Sequence, residues 1–196
     1  MIVVDVEATG TDPWKHSILS IGAVEFEKPE RQFYEECRMF EGAHVMKEAL
    51  EVNGFTQKDI SDKNKKTDGE VVQAFLAWAF DAKDHTFAGH NPIFDFSIIR
   101  LTAERYHIDF SLAHRTIDTH SICFARMILN GATPPAEKGR SALNLDTVLE
   151  YVGLPSEPKP HNGLRGAILE AEALSRLLRD VPLFDEYKNL PVPWKV

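Results

Sequence analysis

Strand patterns fill the first forty residues of the chain, and helical patterns begin only after them. Segments 1–6 and 18–27 are rich in β-branched residues, and segment 32–40 alternates apolar and polar side chains. Residues 27–30 are typical of a turn, so the three segments predict an antiparallel meander. A fold that begins in this way is organised around a sheet.

Helical and strand patterns alternate over the rest of the chain. Apolar residues recur at helical spacing from Val71 to Ala79, and Asn91-Pro92 is typical of a capped helix start. The remaining predicted elements are strands at 85–88 and 116–118, helices at 93–106, up to 125, at 143–152 and at 162–179, and loops at 131–140 and from 190. This order predicts an α/β fold, one domain around a mixed β-sheet, with residues 181–196 as a tail on the domain or on a partner.

The composition narrows what such a domain can bind. With 22 Lys and Arg against 30 Asp and Glu, the net charge is −8, so the surface repels polyanions and a nucleic-acid partner needs a local site. Cys37 and Cys123 lack metal-ligand spacing and suit a reducing compartment, and no apolar run is long enough to cross a bilayer. We therefore expect a cytoplasmic protein with no membrane contact.

Three carboxylates stand where structural acids are unusual. Asp5 and Glu7 lie at the end of the first strand, and the period of two places both on one face. Two such charges repel unless a proton is shared or a cation lies between them, although two solvated acids are the alternative. Asp95 is followed at helical spacing by Ile98 and Ile99, so it lies at a buried edge and needs a metal or a distant basic partner.

Three motifs resemble those of a known family. The segments Asp5-Val6-Glu7-Ala8-Thr9-Gly10 and His90-Asn91-Pro92-Ile93-Phe94-Asp95, with His161 at a later helix start, are similar to the exonuclease motifs of the DEDDh family. That family includes the proofreading subunit of bacterial replicative DNA polymerase, ribonuclease T and oligoribonuclease. The resemblance covers residues 1–180, and the order and spacing of the motifs make it specific.

The resemblance implies a fold and a set of roles. It implies a ribonuclease H-like mixed β-sheet flanked by helices on both faces, and two divalent ions at the carboxylates. Asp5, Glu7 and Asp95 would be metal ligands and His161 the general base. Ala8, Thr9 and Asn91 would contact the substrate. Hard oxygen ligands agree with Mg²⁺ or Mn²⁺, and two such ions suit a phosphodiester hydrolase.

One position departs from the family pattern. The pattern has an Asp five residues after the histidine, and this chain has Gly166 there. Either the chain is an impaired relative that still binds nucleic acid, or the ligand has moved. At 100° per residue, Glu170 falls on the apolar side of this helix, roughly one turn beyond Gly166, and its longer side chain would reach back over the glycine. We expect Glu170 to be the fourth metal ligand.

The remaining charged residues of this helix and two further acids are not expected to belong to the site. The helical wheel places four of them on a solvent-facing side: Arg165, Glu172, Arg176 and Arg179. Asp146 falls in a scaffold helix and Asp118 ends a strand, so neither is expected to bind metal.

The leading functional prediction is a metal-dependent 3′→5′ exonuclease that acts on single-stranded DNA or RNA 3′ ends and releases nucleoside 5′-monophosphates. A catalytically impaired nucleic-acid-binding protein and a phosphohydrolase of very short oligonucleotides or of nucleotides are the alternatives. As partners, a homodimer and a polymerase-associated arrangement both remain open.

Overall fold

The structure, a computed structural model, describes residues 1–195. Its main elements, in chain order, are β1 (Ile2–Ala8), β2 (Ile18–Glu25), β3 (Lys28–Glu36), α1 (Lys47–Asn53), α2 (Gln57–Ser61), α3 (Asp68–Phe80), β4 (Phe87–Gly89), α4 (Ile93–Arg105), β5 (Thr116–Asp118), α5 (Thr119–Leu129), β6 (Ala136–Glu137), β7 (Arg140–Ser141), α6 (Leu145–Tyr151) and α7 (Gly163–Arg179). Two 3₁₀ turns lie at Asp185–Tyr187 and Pro193–Lys195. Within residues 1–195, no helix combines the length and the apolar character that crossing a membrane requires.

A five-stranded mixed sheet lies at the centre. Its strand order is β3-β2-β1-β4-β5, with the first three strands antiparallel and β4 and β5 parallel to β1. Helices α3 and α4 pack against one face, and α7 packs against the other face across β1 and β2. The predicted fold, a mixed α/β sheet covered by helices on both faces, is confirmed.

Alternate residues of β1 face different layers. Val4 and Val6 belong to the apolar cluster with α3 and α4, whereas Val3 packs with Ala167 and Ala171 of α7. Because side chains alternate along a strand, the two acids of β1 continue the face of Val3, on the α7 side of the sheet.

Several details differ from the sequence prediction. The short strands β6 and β7 pair within and beside the segment 131–140, which was predicted to be a loop. The turn between β2 and β3 lies at residues 26–27, so Pro29 lies inside the edge strand β3, where a missing N–H is tolerated. Helices α1 and α2 were not predicted, since seven and five residues are too few to show a periodic pattern. Asn91 does not cap α4, because the helix begins after Pro92 and Asn91 adopts a φ of 54°.

The wheel prediction for α7 is wrong for two residues. Arg165 and Arg179 are exposed as expected, but Glu172 and Arg176 are fully buried. The segment 181–195 covers them, and periodicity within one helix cannot show which later segment will lie over it.

Arg176 uses all five of its guanidinium N–H groups, and three of them reach the segment that covers α7. Nε donates to Glu172 at 2.7 Å, and the other donors reach backbone carbonyls at 3.0 to 3.2 Å: those of Val152, Tyr187, Leu190 and Pro191. The second oxygen of Glu172 accepts from the N–H groups of Leu183 and Phe184. The tail therefore packs on its own domain through satisfied buried polar groups.

Candidate active site

Strand β1 delivers the first two carboxylates. The burial pattern along β1 leaves Asp5 and Glu7 partly exposed, while the residues between and around them are buried. Asp5 lies opposite Gly22 of β2, and a bulge follows Glu7 in the same ladder. Both acids therefore project from one face at the carboxyl end of the strand, as the period of two predicts.

The third carboxylate comes from the first turn of α4. Asp95 is 7% exposed, and its Oδ1 accepts a hydrogen bond of 2.9 Å from the N–H of Val6. Val6 lies between the two acids of β1, so this bond fixes the start of α4 against that strand. This bond orients Oδ1 of Asp95 within the fold and leaves the second carboxylate oxygen outside the bond.

Helix α7 approaches the sheet more closely than side chains would permit. A Cβ atom on Gly166 would lie 1.9 Å from Oδ2 of Asp5, and one on Gly163 would lie 2.9 Å from the carbonyl oxygen of Asp5. A Cβ on Gly22, across from Asp5, would lie 2.0 Å from the carbonyl carbon of Gly163. Glycine is therefore required at positions 22 and 163, where backbone meets backbone, and at position 166 a side chain would displace the Asp5 carboxylate.

This close approach brings Glu170 into the same site. Glu170 is 3% exposed, and its Oε2 accepts a hydrogen bond of 3.0 Å from the N–H of His90, directly after β4. The same oxygen would lie 3.2 Å from a Cβ on Gly89, so β4 also needs a glycine here. The structure places Glu170 with the other three acids; its role as a metal ligand remains a prediction.

A cavity of about 480 Å³ joins these groups. It is lined by Asp5, Val6, Glu7, His90, Asn91, Phe94, Asp95, Asn144, Leu145, Asp146, Glu157, His161 and Glu170. This lining, drawn from residues 1–195, contains no lysine and no arginine. The negative charge of the cavity thus lacks a lysine or arginine to balance it.

The pKa values of these acids are raised, in agreement with this excess of negative charge. Burial raises the pKa of Asp5 well above its usual value, and the negative charges of Glu170 and Glu7 raise it further. Burial, with repulsion from Glu157 and Asp95, raises the pKa of Glu7 to about 7. The pKa of Asp95 rises to about 7 because of burial, against the opposing effect of the Val6 N–H, and burial raises that of Glu170 well above its usual value. A bound cation would reverse these effects.

His161 lies at the edge of the cavity, directly before the N-cap residue of α7. Its N–H donates to the carbonyl of Val52 at 3.0 Å, which fixes the backbone, and its side chain is 30% exposed. Its Nδ1 lies 3.3 Å from Oε2 of Glu157, a residue that the sequence analysis missed. The available signal was a charged residue between Pro155 and Pro158, just before the histidine, but a loop has no period that would show where it points.

The predicted substrate contacts fall into two groups. Asn91 is exposed and lines the cavity, and its N–H donates to Asp118 at 3.0 Å. Thr9 is fully buried, and its N–H, carbonyl and hydroxyl bond to Ser17, Met46 and His44 respectively. The backbone groups of Thr9 are thus engaged within the fold, and its contact with a substrate stays a prediction.

Three further residues named in the sequence analysis are Ala8, Asp118 and Asp146. Ala8 is buried, and its carbonyl accepts from the side chain of Asn53 at 3.1 Å. Asp118 caps α5 through the N–H groups of His120 and Ser121, which is a structural role. Asp146 lies in the first turn of α6, is exposed, and contributes to the cavity lining.

A family model described as exonuclease matches residues 2–173. The chain belongs to the exonuclease family. Together with the fold, this confirms the resemblance to the DEDDh family. Family membership supports a nuclease, a hydrolase, as the activity class, and the family generally uses divalent metal ions.

Two relatives of this exonuclease domain are much longer proteins. Both are described as DNA polymerase III PolC-type, from Thermotoga maritima and Thermotoga petrophila, and each is 28% identical to the chain over 178 and 180 residues respectively. The match covers 90% of this chain but 12% of each relative. The chain thus spans about an eighth of the length of these relatives.

Solved structures share the fold at low identity. Cell-death related nuclease 4 (CRN-4) has a TM-score of 0.71 at 16% identity, covering 91% of this chain and 63% of that one. The nuclease domain of 3′hExo, described as a DEDDh family member bound to rAMP, has a TM-score of 0.69 at 18% identity and 91% coverage of both chains. Exonuclease I has a TM-score of 0.72 at 16% identity, covering 91% of this chain and 40% of that one.

Proposed function

We propose that the protein is a metal-dependent 3′→5′ exonuclease that hydrolyses the terminal phosphodiester bonds of single-stranded nucleic acid and releases nucleoside 5′-monophosphates. One observation carries this proposal: Asp5, Glu7, Asp95 and Glu170 converge in a cavity where their pKa values are raised and where the lining, among the described residues, has no lysine or arginine. Carboxylates arranged in this way are costly for folding alone, and they suit a site for cations.

The four acids fit divalent ions. Hard carboxylate oxygens select Mg²⁺ or Mn²⁺, and we propose two ions per site. When bound, the ions supply positive charge beside the reacting phosphate, which stabilises the transition state. The chain itself holds Asp95 through the N–H of Val6 and Glu170 through that of His90, so both acids are oriented in advance.

His161 is the proposed general base. It borders the acidic cavity, and it takes the proton of the attacking water while the departing 3′-oxygen leaves from the opposite side of the phosphorus. A single strand suits the site because a 3′ terminus must enter a cavity of about 480 Å³. Asn91 at its lining is a proposed substrate contact, with the backbone near Ala8 and Thr9.

The neighbours support nucleic acid as the substrate class. One structure of exonuclease I, from E. coli, is a complex with a dA16 oligonucleotide, and the 3′hExo domain holds rAMP. We propose that this chain acts on DNA or RNA 3′ ends. The PolC-type relatives support a polymerase-associated role, and the two free, buried cysteines support a cytoplasmic location.

The impaired-binder alternative rests on Gly166 alone. Glu170 lines the cavity from the next turn of the same helix, so a fourth acid, itself buried, accompanies Asp5, Glu7 and Asp95 despite the glycine. We therefore favour catalysis. Substituting Glu170→Gln keeps the size and an acceptor for the His90 N–H but removes the charge.

A strand-shortening assay tests the proposal. A 5′-labelled twenty-nucleotide strand with Mg²⁺ or Mn²⁺ should give a ladder shortened from the 3′ end and free 5′-mononucleotides, and chelator should abolish both. Glu170→Gln should lower the rate about a hundredfold or more without unfolding the protein, whereas Glu150→Gln, an exposed acid on α6, should be silent. Strand binding without any hydrolysis in either metal would favour the impaired binder, and hydrolysis of dinucleotides alone would favour the short-oligonucleotide alternative.

A further inference from the structure

Glu157 is a buried carboxylate that lies outside the three motifs. Its side chain is 5% exposed, although the neighbouring residues 155, 156 and 158 are exposed. One carboxylate oxygen accepts from the N–H of Asn162 at 3.3 Å, and the other lies 3.3 Å from Nδ1 of His161. Glu157 therefore connects the start of α7 to the imidazole ring at the edge of the site.

This contact constrains the chemistry of the ring. An imidazole acts as a base only through a nitrogen that carries a lone pair, and a hydrogen-bond acceptor at one nitrogen favours the tautomer with its proton there. With a carboxylate at Nδ1, the proton stays on Nδ1 and the lone pair stays on Nε2. The same carboxylate stabilises the imidazolium that forms when Nε2 takes a proton.

We propose that Glu157 is a positioning residue that fixes the orientation of His161 and its Nδ1–H tautomer, so that Nε2 is the nitrogen that accepts the proton. The inference rests on the proposed function only for the role of His161 as base. The geometry itself, a buried carboxylate held by the backbone of Asn162 and facing one ring nitrogen, belongs to the chain alone.

A metal site is the competing interpretation. One ligand atom each from Glu7, Glu157 and His161 lies within 4.8 Å of the others. A cation there would need the lone pair of a ring nitrogen of His161 and would compete with the Asn162 N–H for the carboxylate of Glu157. Because one oxygen of that carboxylate already accepts from Asn162 and the other lies 3.3 Å from Nδ1, we favour positioning, and the experiments below separate the two.

The first experiment reads the tautomer in the metal-free protein, without any activity. Long-range ¹H–¹⁵N spectra at pH 8 show which nitrogen of each histidine carries the proton, and the His161 signals are those lost in His161→Ala. We expect Nδ1–H for His161 in the unsubstituted protein and in Glu150→Gln, and a shift towards Nε2–H in Glu157→Ala. An Nε2–H tautomer in the unsubstituted protein, or an unchanged ring in Glu157→Ala, overturns the proposal. Should Glu157→Ala fail to fold, Glu157→Gln serves in its place.

The second experiment is a double-mutant cycle on the exonuclease rate. Glu157→Ala should lower kcat about ten- to a hundredfold with little change in KM, but should add almost nothing in a His161→Ala background. Calorimetric titration with Mn²⁺ should give the same affinity with and without Glu157. Additive losses, or a large fall in Mn²⁺ affinity, assign Glu157 to a metal and overturn the positioning role. If no hydrolysis is seen at all, the proposed function fails while the tautomer still decides this inference.

Discussion

Restoring the family's aspartate at position 166 should damage this protein rather than improve it. A Cβ atom there lies 1.9 Å from Oδ2 and 2.8 Å from Cγ of Asp5, whereas ordinary contacts begin at 3.4 Å, so either the Asp5 carboxylate must swing out of the site or α7 must move away from β1. Overpacking of this kind costs about 1–3 kcal/mol, and a second carboxylate facing Asp5 adds repulsion. We therefore expect Gly166→Asp to lower the free energy of unfolding by about 2 kcal/mol or more, and the melting temperature by about 4–8 °C.

The assay is chemical and thermal denaturation together with the strand-shortening rate. Gly131→Asp is the matched control, because nothing lies within 4 Å of an added Cβ there and its cost is confined to the strain of the positive φ, about 1–2 kcal/mol. Activity should fall in Gly166→Asp, and Gly166→Asp should not rescue Glu170→Ala. A Gly166→Asp variant as stable as the control, with activity restored in the Glu170→Ala background, would refute the close packing of α7 on β1.

Four further outcomes follow from the site and from the tail. Asp95→Asn, which keeps an acceptor for the backbone, should lower the hydrolysis rate about a hundredfold or more while the protein melts no earlier without metal. In chelator, the free energy of unfolding should fall as the pH rises from about 4.5 to 7, because the raised pKa values of Glu7 and Asp95 make the folded state bind protons that the unfolded state releases. A melting temperature that does not change with pH would contradict these raised pKa values. His161→Ala should lose hydrolysis but keep its Mn²⁺ affinity in calorimetry, and a lost affinity would make His161 a ligand. Arg176→Met should lower the free energy of unfolding by about 3–5 kcal/mol in denaturant titration, because it leaves Glu172 buried without its partner.

The surface supplies a control for the last variant. Arg179 pairs with Glu27, and both side chains are largely exposed, so Arg179→Met should cost about 1 kcal/mol or less. Equal losses for the two arginine variants would mean that the buried network contributes no more than a surface pair.

Local periodicity predicted the parts of the site that regular elements carry. The alternation along β1 placed Asp5 and Glu7 together, and the turn of α7 placed Glu170 over Gly166, because both follow from backbone geometry within one element. The same helical wheel failed for Arg176, since its surroundings come from a segment that follows the helix. Glu157 was missed for a related reason: an irregular loop sets its direction, and only the folded chain shows the histidine it faces.

The glycines on α7 change how relatives of this chain can be found and altered. A search that demands an acidic residue at position 166 rejects the chain, although the next turn supplies one from Glu170. On the proposed role of Glu170, the two positions act as a pair, in which one provides the charge and the other the space, and we expect neither to tolerate exchange alone. A sequence with glycine at the first position and glutamate four residues later therefore supplies its acidic side chain from the next turn of the helix.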